Sequence, residues 1–161
     1  MTTLNLGDNF DTSNVTNMRG MFKSCGYNSM TSFSLGNKFN TIKVTNMTNM
    51  FENTGYKKLI SLDLGDKFYT TNVEDMYQMF YGCGKESMTT LDLGMAFTKI
   101  PNNILEQSTI TWTDANGDPQ KTTVPAHKGY TEMFKDCGNA NLVVYSPELI
   151  YSNESAFKMG R

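Results

Sequence analysis

Apolar residues recur along this chain at one long spacing and two short ones. Leu4, Phe33, Leu62 and Leu91 stand 29 residues apart, and Leu6, Leu35, Leu64 and Leu93 keep the same interval. Gly7, Gly36, Gly65 and Gly94 come next, followed by Phe10, Phe39, Phe68 and Phe97. Through the first three units the register continues without a gap over Val15, Val44 and Val73, then Met18, Met47 and Met76. Met21, Met50 and Met79, Phe22, Phe51 and Phe80, and Gly26, Gly55 and Gly84 complete it. A gap-free period of this kind marks a repeat protein, in which each unit buries its apolar face against its neighbours.

Within a unit the short spacings predict two elements. Phe33-Ser34-Leu35 alternates apolar and polar, as a short strand buried on one face requires, and glycine then permits a turn. Val15, Met18, Met21, Phe22 and Cys25 fall on one stripe of a helix. Thr71-Asn72-Val73-Glu74 fits a capping box, and Gly26, Gly55 and Gly84 fit C-terminal caps. The expected fold is therefore an α/β repeat solenoid: a leucine-rich-repeat-like, right-handed coil of short parallel strands and helices with period 29. The usual turn asparagine is replaced by Asn9, Lys38 and Lys67 with a phenylalanine one place on, so stacked phenylalanines are expected to hold that turn.

Three regions follow. Residues 1–97 hold three regular repeats plus a fourth strand, 98–130 an irregular shortened repeat, and 131–161 a final degenerate repeat. Met79 and Met133 are 54 residues apart rather than the 58 of two full units. The favoured account of 98–130 makes Ile100–Gln107 a short helix followed by a strand at Thr109–Trp112, with the extra loop folding back as a partial hairpin. The other makes Ile110–Thr113 and Lys121–Val124 a hairpin closed around Asn116-Gly117. Leu142–Pro147 reads as a strand, and Ser152–Phe157 as the start of another helix. Neither end carries a cap, which fits an excerpt of a longer protein or, in a short protein, end-to-end self-association through uncapped repeats.

Composition narrows the function. Hydrophobic residues are 39% and charged residues 19% of the 161, with a net charge of -2, so neither a disordered tail nor a nucleic-acid-binding surface is expected. No apolar run approaches a membrane span. One histidine leaves little for histidine catalysis or zinc, and His127 reads as a surface residue in a polar connection. Cys25, Cys83 and Cys137 share a column with Thr54 and read as core thiols; the methionine columns read as core as well. The expectation is a protein that is not an enzyme and uses no cofactor or metal.

Candidate partner contacts come from side chains outside the core stripe. Asp63 and Asp92 lie in one strand column with Asn5 and Ser34, where stacked carboxylates repel unless a cation or basic ligand intervenes. Tyr77 and Tyr81 flank the apolar stripe of the third unit, and Tyr69 sits in the adjoining turn. Trp112 and the 114–120 loop, with Asn116, interrupt the repeat, and irregular loops on rigid scaffolds often carry function.

Phe10-Asp-Thr-Ser-Asn-Val-Thr-Asn-Met18-Arg-Gly-Met-Phe22-Lys-Ser-Cys25 resembles the core motif of BspA-like bacterial surface repeats, also found in lipoproteins first catalogued as a domain of unknown function. The motif recurs from Val44 to Phe51 and from Val73 to Phe80, and in part from Glu132 to Gly138. The resemblance implies an extracellular or bacterial cell-surface location. It also implies adhesin-type recognition of a host or bacterial surface protein or glycan, with a structural spacer as the alternative.

Overall fold

The computed structural model describes residues 1–145, and of Trp112 the main chain alone. Four three-residue strands stand at the predicted interval: β1 (Thr3–Asn5), β2 (Ser32–Ser34), β3 (Ser61–Asp63) and β4 (Thr90–Asp92). β5 (Ile104–Leu105), β6 (Ser108–Thr113), β7 (Pro119–Val124), β8 (His127–Lys128) and β9 (Val143–Tyr145) follow. β1 pairs with β2, and β3 with β4 and then β9, all parallel; Leu4 sits opposite Phe33, and Leu62, Leu91 and Val144 stand in one row. Like columns therefore lie over like, as the repeat requires.

The expected α/β solenoid is not what the chain forms. Among the described residues there is no helix, and the parallel strands fall into two separate small sheets. In the segment read as a helix, Met21, Lys23 and Cys25 donate their amides three residues back, to Met18, Gly20 and Phe22 at 3.2, 3.0 and 2.9 Å. The intervening amides of Gly20, Phe22 and Ser24 leave the unit, donating to Thr48, Met50 and Glu52 of the next at 2.9, 2.9 and 2.7 Å. An α-helix keeps each amide for the carbonyl four residues back. Here every second amide crosses to the neighbour, which requires left-handed backbone at Gly20, Ser24 and Gly26 (φ 61°, 57° and 61°). Linked three-residue turns also place apolar side chains three and four apart, so the stripe was genuine but its element was not. The capping box fails for the same reason: Glu74 donates its amide to Thr45 of the preceding unit at 2.8 Å.

The irregular region overturns the favoured account and takes the hairpin. The helix expected at 100–107 is absent, and β6 pairs antiparallel with β7 from Ser108 opposite Val124 to Thr113 opposite Pro119. Asp114 closes the turn, its Oδ1 accepting the amides of Asn116 and Asp118 at 2.9 and 3.0 Å. Beyond the hairpin, Gly129, Thr131 and Met133 accept bonds from Met76, Gln78 and Phe80 at 2.6, 3.0 and 2.8 Å. Residues 129–138 are thus the turn side of the fourth unit. The 54-residue interval is one period of 29 plus an insertion of 25, rather than a shortened repeat followed by a unit with a long loop. The strand expected at Leu142–Pro147 appears as β9 up to Tyr145; its end and the expected helix at Ser152–Phe157 lie outside the described residues.

Aromatic rings fill the interior. Phe22, Phe51, Phe80 and Phe134 stack at 5.4, 5.3 and 5.3 Å, and Phe39, Phe68 and Phe97 at 6.3 and 6.2 Å. The second stack holds the turn that lacks its asparagine, helped by a threonine column that sequence reasoning missed. Thr12 and Thr41 donate their hydroxyls to the carbonyls of Asn40 and Tyr69 at 2.8 and 2.7 Å. Met18, Met47, Met76, Met50, Met79 and Met133 are buried in the core, as are Cys83 and Cys137. Thr54, which replaces cysteine in its column, donates its hydroxyl to the Phe22 carbonyl at 2.7 Å. The neighbouring Cys83 thiol, together with burial, pushes Cys137 well above the usual thiol range.

One polar column tracks the left-handed positions. Asn49 donates to Gln78 Oε1 at 3.1 Å, Gln78 to Glu132 Oε2 at 2.6 Å, and Lys135 to Glu132 Oε1 at 2.7 Å. Lys135 first and Gln78 second hold the Glu132 carboxyl below its ordinary value. A carboxyl depressed on folding stabilises the protein above its unfolded value, and that contribution is lost as pH falls through the folded value. Below about pH 4.5 the wild type is therefore expected to lose stability more steeply than Glu132→Gln. Thermal melts across that range would show the two slopes converging if the column contributes nothing.

Candidate functional site

Alternation along each strand turns the leucines inward and one polar column outward. That column runs Asn5 beside Ser34 in one sheet, and Asp63, Asp92 and Tyr145 in the other. The two carboxylates avoid each other by turning along their own chain. Asp63 Oδ1 accepts the Gly65 amide at 2.8 Å and Asp92 Oδ1 the Gly94 amide at 2.9 Å, as Asn5 Oδ1 does for Gly7 at 2.8 Å. These short loops follow from an Asp or Asn two residues before a glycine, which supplies the positive φ (69° at Gly7, 71° at Gly65, 69° at Gly94).

Around this column lies an open groove of about 350 Å³ lined by Asp63, Asp66, Asp92, Met95 and Tyr145. Met95 is 74% exposed and Tyr145 55%, so an apolar rim flanks three carboxylates. Such a groove offers hydrogen-bond acceptors beside a flat apolar surface. Among the described residues no group of three or more His, Cys, Asp or Glu side chains is placed to hold a metal ion.

The remaining candidates lie elsewhere. Tyr77 is half-buried, its ring 4.5 Å from that of His127, and burial followed by Glu132 raises its hydroxyl's pKa. Tyr81 is half-buried with Lys135 5.6 Å above its ring. Tyr69 is half-buried, and its carbonyl accepts the Thr41 hydroxyl. Trp112 pairs through its main chain with Gln120, and Asn116 sits in the exposed hairpin turn. Asp63 and Asp92 alone of the predicted residues share the groove. Asp66, Met95 and Tyr145 join them, and Tyr145 reaches the column only because the insertion returns the chain to β4.

His127 corrects its sequence reading, since it is buried rather than exposed. Its Nδ1 lies 2.6 Å from the Pro125 carbonyl, which fixes a proton on that nitrogen, and its Nε2 lies 3.1 Å from Asp75 Oδ1. Asp75 also accepts the Tyr77 amide at 2.9 Å. A groove of about 240 Å³ beside this pair includes Glu74, Glu106 and Ser108. Both ring nitrogens are occupied by partners, so neither is placed to take a proton from Ser108. The pair instead fastens the insertion to the third unit.

A second surface feature follows the period. Tyr27 and Tyr56 stack at 4.6 Å with planes 10° apart, and Lys85, the next member of the column, lies 6.0 Å from the Tyr56 ring. Lys85 also pairs with Asp136 at 3.4 Å. The interval of 29 between Tyr27 and Tyr56 was there to be read.

These features define a repeat protein whose units stack in register with a polar strand face turned outward. The family described as "Mycoplasma protein of unknown function, DUF285" matches residues 2–93, and the chain belongs to it. No curated protein matches the chain, and no solved structure does. The match ends at Leu93, a few residues before the insertion begins.

Proposed function

We propose that the chain is a non-catalytic recognition module of a bacterial cell-surface or secreted protein, with a BspA-like repeat. Its partner is a surface protein or glycan of a host or of another bacterium, held without a cofactor. The observation that supports this reading is the outward groove of Asp63, Asp66 and Asp92 rimmed by Met95 and Tyr145. Carboxylate oxygens accept sugar hydroxyls or basic side chains, and an exposed tyrosine ring gives the flat contact that anchors many interfaces. The core needs none of these residues for packing.

The test is a panel of immobilised host-matrix proteins and glycans probed with the wild-type chain. Saturable binding is expected, weakened at least about tenfold by Asp63→Asn/Asp92→Asn and by Tyr145→Ala, in line with losses at interface anchors. Binding unchanged by both variants would remove the groove from the proposal. The second reading is a structural spacer with no ligand of its own. A spacer gives no signal on the panel and a mass that rises with concentration in analytical ultracentrifugation.

A further inference from the structure

Four leucines share one ladder column, and one of them breaks it. The amides of Leu6, Leu64 and Leu93 donate to the carbonyls of Ser34, Asp92 and Tyr145 in the next unit at 3.1, 2.9 and 2.9 Å. Among the described residues, the Leu35 amide finds no such carbonyl on β3. The other end of the strand repeats the break. Thr31 and Thr89 donate back to Thr2 and Ile60, each at 2.9 Å, whereas Ile60 makes no bond to Thr31. On the turn side the same two units remain joined, with Met47 to Asp75 at 2.8 Å, Phe51 to Met79 at 2.8 Å and Gly84 to Thr54 at 3.0 Å.

The glycine column gauges the gap. A Cβ at Gly36 would lie 2.0 Å from the Gly7 carbonyl oxygen, and one at Gly94 would lie 2.1 Å from that of Gly65. At Gly65, whose neighbour in that direction is Gly36, a Cβ would meet nothing within 4 Å. Two grooves of about 290 and 300 Å³ open here, both lined by Gly36, Asn37, Leu64 and Gly65.

The column supplies a cause. Where β1, β3 and β4 place Leu4, Leu62 and Leu91, β2 places Phe33. Its ring stands edge-on to Phe22 (4.9 Å, 80°) and to Phe51 (6.0 Å, 87°), across the run of the stacked phenylalanines. Phe22 belongs to the first unit and Phe51 to the second, so the ring leans toward the first unit and away from the third. We propose that Phe33 keys β2 to the first unit and so leaves the strand side open between the second and third units. The stack is then two halves joined along the turn side and at the corner after the strand, where Thr41 donates to the Lys67 carbonyl at 3.2 Å, with an open seam on the strand face. This inference concerns the stack alone and does not rest on the recognition proposal.

Amide hydrogen exchange, read residue by residue by NMR on the full chain, tests it. Leu35 and Ile60 are expected to exchange on the order of a hundredfold faster than their column mates Leu64 and Thr89. Equal rates would overturn the seam. Phe33→Leu, which installs the side chain its column carries elsewhere, is expected to slow both amides to within about tenfold of Leu64 and Thr89. Rates that stay fast in that variant would overturn the role given to Phe33. Adding Gly65→Ala to Phe33→Leu places a methyl group in the closing gap and is expected to restore fast exchange; slow exchange in the double variant would also count against the proposal.

Discussion

Phe51→Ala is expected to lower the unfolding free energy by about 3–5 kcal/mol, the range for deleting a fully buried phenyl ring. The ring is wholly buried and sits between Phe22 and Phe80 at 5.4 and 5.3 Å, with Phe33 at 6.0 Å and Phe68 at 6.2 Å. Its removal forfeits burial and also two stacked pairs, each worth roughly 0.5–1.5 kcal/mol beyond area. The cavity would lie between rigid neighbouring units, which are fixed by cross-unit bonds such as Phe51 to Met79 at 2.8 Å and so cannot collapse inward. For a chain of this size the corresponding fall in Tm is on the order of 10 °C. Phe10→Ala is the internal control, since that ring is 40% exposed. Its cost is expected to stay near or below about 1 kcal/mol. Urea denaturation of the two variants side by side checks the contrast, and equal costs would mean that the phenylalanine stack is not what binds the units together.

The contrast between those two rings could be read from the sequence, because the period states which side chains lie over which. Leu4 over Phe33, Leu62 over Leu91, and Phe39 over Phe68 all follow from a repeat of 29. The element joining the columns could not be read so directly. Three-residue turns and an α-helix both return an apolar side chain after three or four residues, and periodicity cannot separate them. The distinguishing signal was weaker: Gly20 and Gly82 stand inside the supposed helices, and Asn49 and Asn53 occupy the same left-handed positions in the second unit. Residues that tolerate positive φ, recurring in the middle of a stripe, mark linked turns rather than a helix.

The candidate site divides along similar lines. Asp63 and Asp92 could be paired from the period alone. Tyr145 could not, because an insertion of unknown path separates it from β4 by more than 50 residues. His127 was misread because its partner Asp75 lies 52 residues away, and nothing local signals that a polar connection will be buried. Long-range contacts inside the repeat are legible because the repeat encodes them. Those made by the insertion are not.

Gly94→Ala and Gly36→Ala are expected to be as damaging as the loss of a core ring, for a reason that burial does not capture. Both glycines have positive φ (69° and 76°), which alone costs an alanine about 1 kcal/mol or more. Both also sit directly against the main chain of the preceding unit, where a Cβ would lie 2.1 Å from Gly65 O and 2.0 Å from Gly7 O. A carbonyl fixed in a ladder cannot swing away as a flexible side chain can. The units must separate instead, which for Gly94 places at risk the Leu64-to-Asp92 bond of 2.9 Å and the register of Asp63 with Asp92. We expect a loss of roughly 3 kcal/mol or more, the range of overpacking plus broken backbone bonds. Gly7→Ala separates the two effects, because φ there is 69° but nothing lies within 4 Å of the added carbon. It should show the conformational cost alone, about 1 kcal/mol. If urea denaturation finds all three variants equally stable, the glycine column serves turn geometry and not the close approach of one unit to the next.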